Sequence, residues 1–232
     1  ALSFPLLIGL MGAARVEAAE PESLNACKEW QLLQGLGEMA LQCLIGEAGQ
    51  LGLDTSPRAL GTFVHLGPLF RGEPMASSLA PGLAWKQSTA ESLDLAPTSV
   101  DLLTSRSVME HVANPAAAYA AMARILRPGG VLHHDIDFTA HDPERFAFYW
   151  REPSGTQRAA FDGLNELRLS DHVGILQRLG LEVTLKRREQ AAESMDRTAL
   201  APRFAHYSDD DLRTTRAVLI GRKAGESQPL SA

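Results

Sequence analysis

Cysteine is scarce in this chain: Cys27 and Cys43 are its 2 cysteines, and they stand neither at metal-ligand spacing nor in a C-x-x-C pattern. A disulfide-built domain is therefore not expected, and both thiols are expected to be reduced. Basic charge is also short, with 22 Lys and Arg against 28 Asp and Glu and a net charge of −6. No surplus is left to neutralise phosphates or anionic lipid, so neither a nucleic acid nor a membrane is expected as a partner. Long apolar runs are missing as well. The stretch from Leu2 to Met11 is too short to span a bilayer, and no positive charge precedes it as a signal segment would require. It is expected to open a helix over residues 1–20 that packs on the domain, covers a pocket or builds a homodimer. A cytoplasmic location is the default expectation.

What is present is an ordinary globular composition. Of 232 residues, 45% are apolar and 22% charged, enough for one substantial core. The expected organisation is an N-terminal helical extension over 1–28, an α/β domain over 29–223 and a loose tail over 224–232.

The second half alternates elements in a readable order. Ser99 to Ser105 is a short apolar run bounded by polar residues, as a buried parallel strand should be. Asn114-Pro115 supplies an N-cap and a first-turn proline, and Ala116 to Arg127 carries Tyr119, Met122, Ile125 and Leu126 at helical spacing. Pro128-Gly129-Gly130 ends that helix, and Gly130 to Phe138 restarts as a strand. A helix from Ser170, read as its cap, to Leu179 stops at Gly180. Leu181 to Lys186 and Thr215 to Arg222 follow as strands, with a charged loop or short helix between. Strands joined without a long crossover pair antiparallel. The expected fold is α/β: a Rossmann-like open sheet, mostly parallel, with a C-terminal antiparallel hairpin. Such sheets bind ligands at the carboxyl ends of their strands, which gathers 89–93, 105–111 and 133–141 on one rim.

These residues resemble the class I S-adenosylmethionine-dependent methyltransferases of the broad small-molecule type. The resemblance covers about residues 83–223 and rests on pieces in a fixed order. They are Thr89-Ala90-Glu91-Ser92-Leu93, Val100-Asp101-Leu102-Leu103, Glu110-His111-Val112, and Ile125-Leu126-Arg127-Pro128-Gly129-Gly130. It implies S-adenosylmethionine as cofactor, S-adenosylhomocysteine as product, and a small-molecule methyl acceptor attacking through oxygen, nitrogen or carbon. Thr89, Ala90 and Glu91 are then expected at the adenine, and Ser105 beneath the sulfonium. A sulfonium is already electrophilic, so the protein's tasks are alignment, exclusion of water and, for a protonated nucleophile, a base.

The first half matches less well. The resemblance implies a glycine-rich turn after the first strand and an acidic residue ending the second. One layout takes Glu29 to Leu33 as first strand, Gly35 and Gly37 in the turn, a helix over 40–48, and Gln50 to Asp54 as second strand, with Asp54 on the ribose. Gly35 to Asp54 is nineteen positions, suited to turn, helix and strand. Met39 stands where the third glycine belongs, and Thr89 where the adenine loop is usually acidic. Alternatives use Gly46, Gly49 and Gly52 as the turn, or Phe63 to Pro68 as strand and turn. Asp54 also reads as a cap for a helix beginning at Ser56-Pro57.

His111 is a candidate base, or else orders its turn through a backbone bond. Alternation puts His133, Asp135 and Asp137 on one strand face and His134 on the other, with His141 returning from the loop. That set reads as acid/base or substrate-orienting; a divalent metal is the lesser alternative and is not assigned. Aromatics are only 6% of the chain, so Phe146, Phe148, Tyr149 and Trp150 in one loop read as an acceptor wall or lid, or as packing. The rival functions are a methyltransferase-fold binding or scaffold protein without catalysis, and a nicotinamide-dependent oxidoreductase.

Overall fold

The computed structural model describes residues 8–9, 11–21, 46, 48–50, 52–65, 68, 79–139, 163–192 and 196–225. The chain divides into two compact units, Ala1–Thr89 and Ala90–Ala232.

In the first unit, β1 (Val16–Glu20) pairs in parallel with β2 (Leu83–Gln87), from Val16 opposite Leu83 to Glu20 opposite Gln87. This corrects the expectation of one helix over 1–20. Residues 8 and 9 are helical, but Gly12 has φ +105, which no helix accommodates, and the chain leaves it extended. Backbone groups that a helix would have paired internally are satisfied by β2 instead.

The segment Gln50 to Asp54 is likewise not a strand. Ala48 to Gln50 are helical, and Gly52 at φ +71 closes that turn, with bonds from its amide to the Gly49 carbonyl and from Leu53 to the Ala48 carbonyl. Helix α1 (Pro57–Gly61) follows. Its cap is Ser56, whose Oγ accepts from the Ala59 amide at 3.3 Å, with Pro57 in the first turn.

The second unit carries a sheet in the order β3-β4-β6-β5, formed by β3 (Val100–Arg106), β4 (Leu126–Asp137), β5 (Leu181–Gln190) and β6 (Thr214–Lys223). The pair β3 and β4 is parallel; β6 runs antiparallel to both β4 and β5. The expected terminal hairpin is there, and β6 enters the sheet between β4 and β5.

Helix α2 (Pro115–Ile125) starts as read, with Asn114 Oδ1 accepting from the Ala117 amide at 3.1 Å. It ends two residues before the expected Arg127. The amides of Thr98 and Ser99 take the carbonyls of Arg124 and Ile125, and Leu126 is already extended. Gly130 is required there, since a Cβ would lie 2.8 Å from the Arg127 carbonyl oxygen and 3.1 Å from that of Val100.

Helix α3 (Leu169–Arg178) begins one residue earlier than expected, and Ser170 is not its cap. Arg168 stands at the cap position, its amide donating to Asp171 Oδ2 at 2.9 Å, while the Ser170 hydroxyl donates to Asp211. The charged stretch before β6 holds 3₁₀ turns at Arg197–Ala199 and Pro202–Phe204 and helix α4 (Asp209–Arg213), capped by Ser208.

The core lies on one face of the sheet. Leu132 and Ile136 of β4 and Leu219 of β6 pack with Tyr119 and Met122 of α2 and Leu176 of α3. Fully burying side chains of this size contributes roughly 1.5–3 kcal/mol each. Arg168 is fully buried beside this core and donates to the carbonyls of Phe138, Asp211, Leu212 and Thr214. It thereby fixes the end of β4, the start of β6 and the start of α3 together.

Candidate functional site

Parallel strands β3 and β4 end side by side, and the chain leaving β3 forms a tight turn there. Ser107 holds φ +49, and its amide reaches the Asp135 carbonyl at 2.8 Å, which prolongs the β3–β4 pairing into the turn. Asn165 then clamps the turn from outside. Its Nδ2 donates to the carbonyls of Met109 at 2.6 Å and Val112 at 3.0 Å, and its amide donates to the Glu110 carbonyl at 2.8 Å.

The turn buries Glu110 to 4% exposure, and among the described residues neither carboxylate oxygen has a well-formed hydrogen bond, although the amides of Glu110 and Asp137 lie close by. Burial raises its carboxyl to about 7. The Asp137 charge adds to the rise; the nearby Glu110 and Asp137 amides and the Arg216 charge oppose it. A carboxyl of this kind exchanges a proton near neutral pH.

At the end of β3, Ser105 Oγ lies 2.7 Å from His134 Nδ1. His134 is fully buried, which pushes its pKa down to about 3, with the charges of His172 and His133 in the same direction. The edge of Tyr119 meets the His134 ring at 5.5 Å between centroids, and the Tyr119 hydroxyl bonds His172 Nδ1 at 2.8 Å. Burial holds His172 at about 4 and the Tyr119 phenol above its usual range. Both imidazoles are neutral at physiological pH.

Alternation along β4 is as expected: His134 faces the core, and His133, Asp135 and Asp137 face the other way, half-buried. Those three do not converge on the rim. His133 sits mid-strand opposite Thr104 and Ile220, its Nδ1 3.1 Å from Thr104 Oγ1. It lines a shallow cavity of about 440 Å³ on the open sheet face, with Glu182, Thr184, Lys186, Ile220 and Arg222. Asp135 is bound by both guanidinium arms of Arg216 at 2.7 and 2.9 Å, with Arg187 at 3.6 Å. Register explains this correction, since Asp135 pairs with Val218 and so comes up beside Arg216 on one face. Asp137 alone reaches the strand end, where Oδ1 accepts from the Thr139 amide at 2.8 Å.

His111 is exposed, its Nδ1 donating to the Gly163 carbonyl at 3.0 Å; this is the backbone bond of the ordering role. His141, Gly35, Gly37, both cysteines and the aromatic run 146–150 lie outside the described residues. Among the described residues, no group of three His, Cys, Asp or Glu side chains is placed to hold a metal ion. None of their helices is long and apolar enough to cross a membrane.

The expected adenine segment lies at the edge of each unit. Thr89 is exposed just after β2 in the first. In the second, Ala90–Ser92 form a 3₁₀ turn; Ala90 packs on the core, and Glu91 Oε1 accepts from the Asn114 amide at 3.3 Å. Asp54 is fully exposed, in the loop before α1. Its Oδ1 accepts from the Ser56 amide at 2.8 Å, a bond that holds its carboxyl below the usual range.

Among the described residues the Glu110 carboxyl at the strand-end rim has no hydrogen-bond partner, and a bound ligand with a hydroxyl donor would fit it. Glu110 stands beside His111 in the sequence, but nothing in composition or spacing marks it as buried. Asn165 and Arg168 gave no sequence signal either, because their partners are backbone carbonyls brought up by distant elements.

Residues 34–133 match the family model described as a methyltransferase domain. The chain is 33% identical over 101 residues to a ubiquinone biosynthesis O-methyltransferase of Methylococcus capsulatus, across 42% of this chain and 39% of that protein. The chain thus spans about two fifths of that relative's length. Solved structures resemble it more loosely. A SAM-dependent methyltransferase from Methanosarcina mazei is 14% identical at a TM-score of 0.49, over 95% of this chain and 87% of that one. An S-adenosylmethionine-dependent methyltransferase from Mesorhizobium loti is 14% identical at 0.46, over 96% and 98%. Likenesses that low carry no weight here. The domain match runs through β3, the Glu110 turn and α2 into β4, so this segment is similar to a methyltransferase domain.

Proposed function

We propose that this protein moves the methyl group of S-adenosylmethionine onto an oxygen of a small organic acceptor. The observation that carries the reading is the family match over 34–133, a segment that contains Glu91, Ser105 and Glu110. Oxygen is preferred over nitrogen or carbon because the relative from Methylococcus capsulatus bears the name of an O-methyltransferase. When bound, the cofactor supplies an electrophilic methyl group and a sulfur that leaves with the bonding electrons. The chain's own work is to bind, align and dry the reactants at the β3 and β4 ends.

In this reading the 90–92 turn borders the adenine. Ser105, its hydroxyl fixed by neutral His134, forms a rigid floor under the reacting atoms. His134 neutrality matters, because an imidazolium in that position would repel a sulfonium. Gly35 and Gly37 for the methionine end, Asp54 for the ribose, and the roles of His111 and His141 beside the acceptor belong to the same proposal. So do the cytoplasmic location, the homodimer through the N-terminal segment, and the division into 1–28, 29–223 and 224–232. A divalent metal has no assigned place in it.

A methyltransferase-fold binding protein without catalysis is the second reading. It is favoured by Asp54, whose carboxylate serves a turn with Ser56 rather than ending a strand. Incubation of the full chain with S-adenosylmethionine and a panel of phenols, carboxylates, amines and carbon acids separates the two. Methylated product with matching S-adenosylhomocysteine supports transfer. Cofactor binding with no product from any class supports the binding protein.

A further inference from the structure

We propose that Glu110 is the proton acceptor of the reaction, its carboxylate taking the hydroxyl proton of the methyl acceptor at the ends of β3 and β4. The inference rests on the O-methyl reading above and adds a residue with a catalytic role.

The environment of Glu110 differs from that of its acidic neighbours. Asp135 is neutralised by Arg216, Asp137 accepts from Thr139, and Glu91 accepts from Asn114. Glu110 is the more deeply buried, yet among the described residues both its oxygens lack a well-formed hydrogen bond. Leaving such a group unsatisfied costs about 1–3 kcal/mol, which a donor on a bound ligand would offset. A hydroxyl of bound acceptor supplies the missing donor.

Position supports the same role. Asn165 grips the carbonyls before and after Glu110, and Ser107 anchors the turn to β4, so the carboxyl is held at the strand-end rim rather than swinging on a loop. Among the described residues, the charged and titratable groups around it come from three elements. Asp137 of β4 disfavours its ionised form, Arg216 of β6 favours it, and Tyr119 of α2 is buried and neutral nearby. Their balance leaves the carboxyl poised near neutrality, where a base is both available and able to hold a proton. His111 is the weaker candidate, because its ring is exposed to the water that a transfer site excludes.

The step balances without another reactant. The acceptor O–H breaks and its proton bonds to a Glu110 carboxylate oxygen. The oxygen's electron pair forms the new bond to the methyl carbon, and the carbon–sulfur pair stays on sulfur. Glu110 then returns its proton to solvent as product leaves.

Wild type, Glu110→Gln and Glu110→Asp are compared in single-turnover methyl transfer across pH 5–9 and by infrared difference spectroscopy of the unliganded chain. The wild-type rate should fall below neutral pH with one titration, accompanied by a protonated-carboxyl band that is absent from the Gln variant. Glu110→Gln should bind S-adenosylhomocysteine as wild type does, lose the acid limb and slow by about 10²–10⁴-fold. Glu110→Asp should restore part of the rate with a displaced limb. An active wild type whose Gln variant keeps both rate and acid limb overturns this role alone. A wild type that shows the titrating band yet transfers no methyl group overturns the O-methyl reading and, with it, the role.

Discussion

The Ser105 hydroxyl and His134 Nδ1 meet at 2.7 Å across the parallel pair of β3 and β4, a polar contact that ties the end of β3 to the buried His134 ring. His134 has no exposure, and among the described residues its Nε2 has no partner, so Ser105 supplies the ring's one hydrogen bond there. Ser105→Ala should therefore destabilise the fold by about 1–3 kcal/mol, measured by urea unfolding at pH 7.5. Ser105→Thr, which keeps the hydroxyl, should recover most of that loss.

The buried ionisable groups set opposite slopes of stability against pH. His134 and His172 titrate at about 3 and 4 in the folded chain, against roughly 6.5 unfolded. Between those values the unfolded state binds more protons, so their contribution rises with pH and is complete above about 6.5. Glu110 does the reverse: from about 4.5 to 7 the folded state holds the extra proton, and stability falls as pH rises through that window. Each proton is worth at most about 1.4 kcal/mol per pH unit. Unfolding of wild type and Glu110→Gln at pH 5 and pH 8 should show the variant gaining relative stability at the higher pH. A difference independent of pH would mean that Glu110 is not titrating there.

Asp135 is held by Arg216, and that bond, rather than catalysis, is its expected contribution. Asp135→Asn should cost about 1–3 kcal/mol by leaving a half-buried guanidinium without its carboxylate. Methyl-transfer kcat, normalised to folded protein, should change little. A selective collapse of kcat with unaltered stability would put Asp135 back among the reacting groups.

Arg168 joins the end of β4, the start of β6 and α3 through backbone carbonyls, with its guanidinium also over the Phe138 ring. Arg168→Met should cost on the order of 3–5 kcal/mol, read from thermal unfolding, because buried acceptors lose a charged donor. Arg168→Lys should rescue little, since one ammonium cannot span carbonyls that the planar guanidinium reaches together.

Local chemistry explains which parts of the molecule were legible in the sequence. Asn114-Pro115, Gly180 and the alternation of His133 to Asp137 each act within a few residues, and each appears where it was read. The terminal hairpin follows from two strands with no crossover between them. Val16–Glu20 reads as helix in the sequence because five residues with two alanines carry no period of their own; its partner, Leu83–Gln87, lies far along the chain. Gln50 to Asp54 misread as strand because Gly52 closes a helical turn only through its positive φ. At the site, residue types were visible but partners were not. Register brought Arg216 to Asp135, and Asn165, distant in sequence, holds the turn that carries Glu110. The glycine layout around Gly35 and Gly37 falls outside the described residues.

Binding of the nucleoside tests the account most directly. Calorimetric titration of the full chain with S-adenosylhomocysteine should give one saturable site with a dissociation constant on the order of micromolar. A folded chain, verified by circular dichroism in the same buffer, that gives no binding up to millimolar ligand would contradict it.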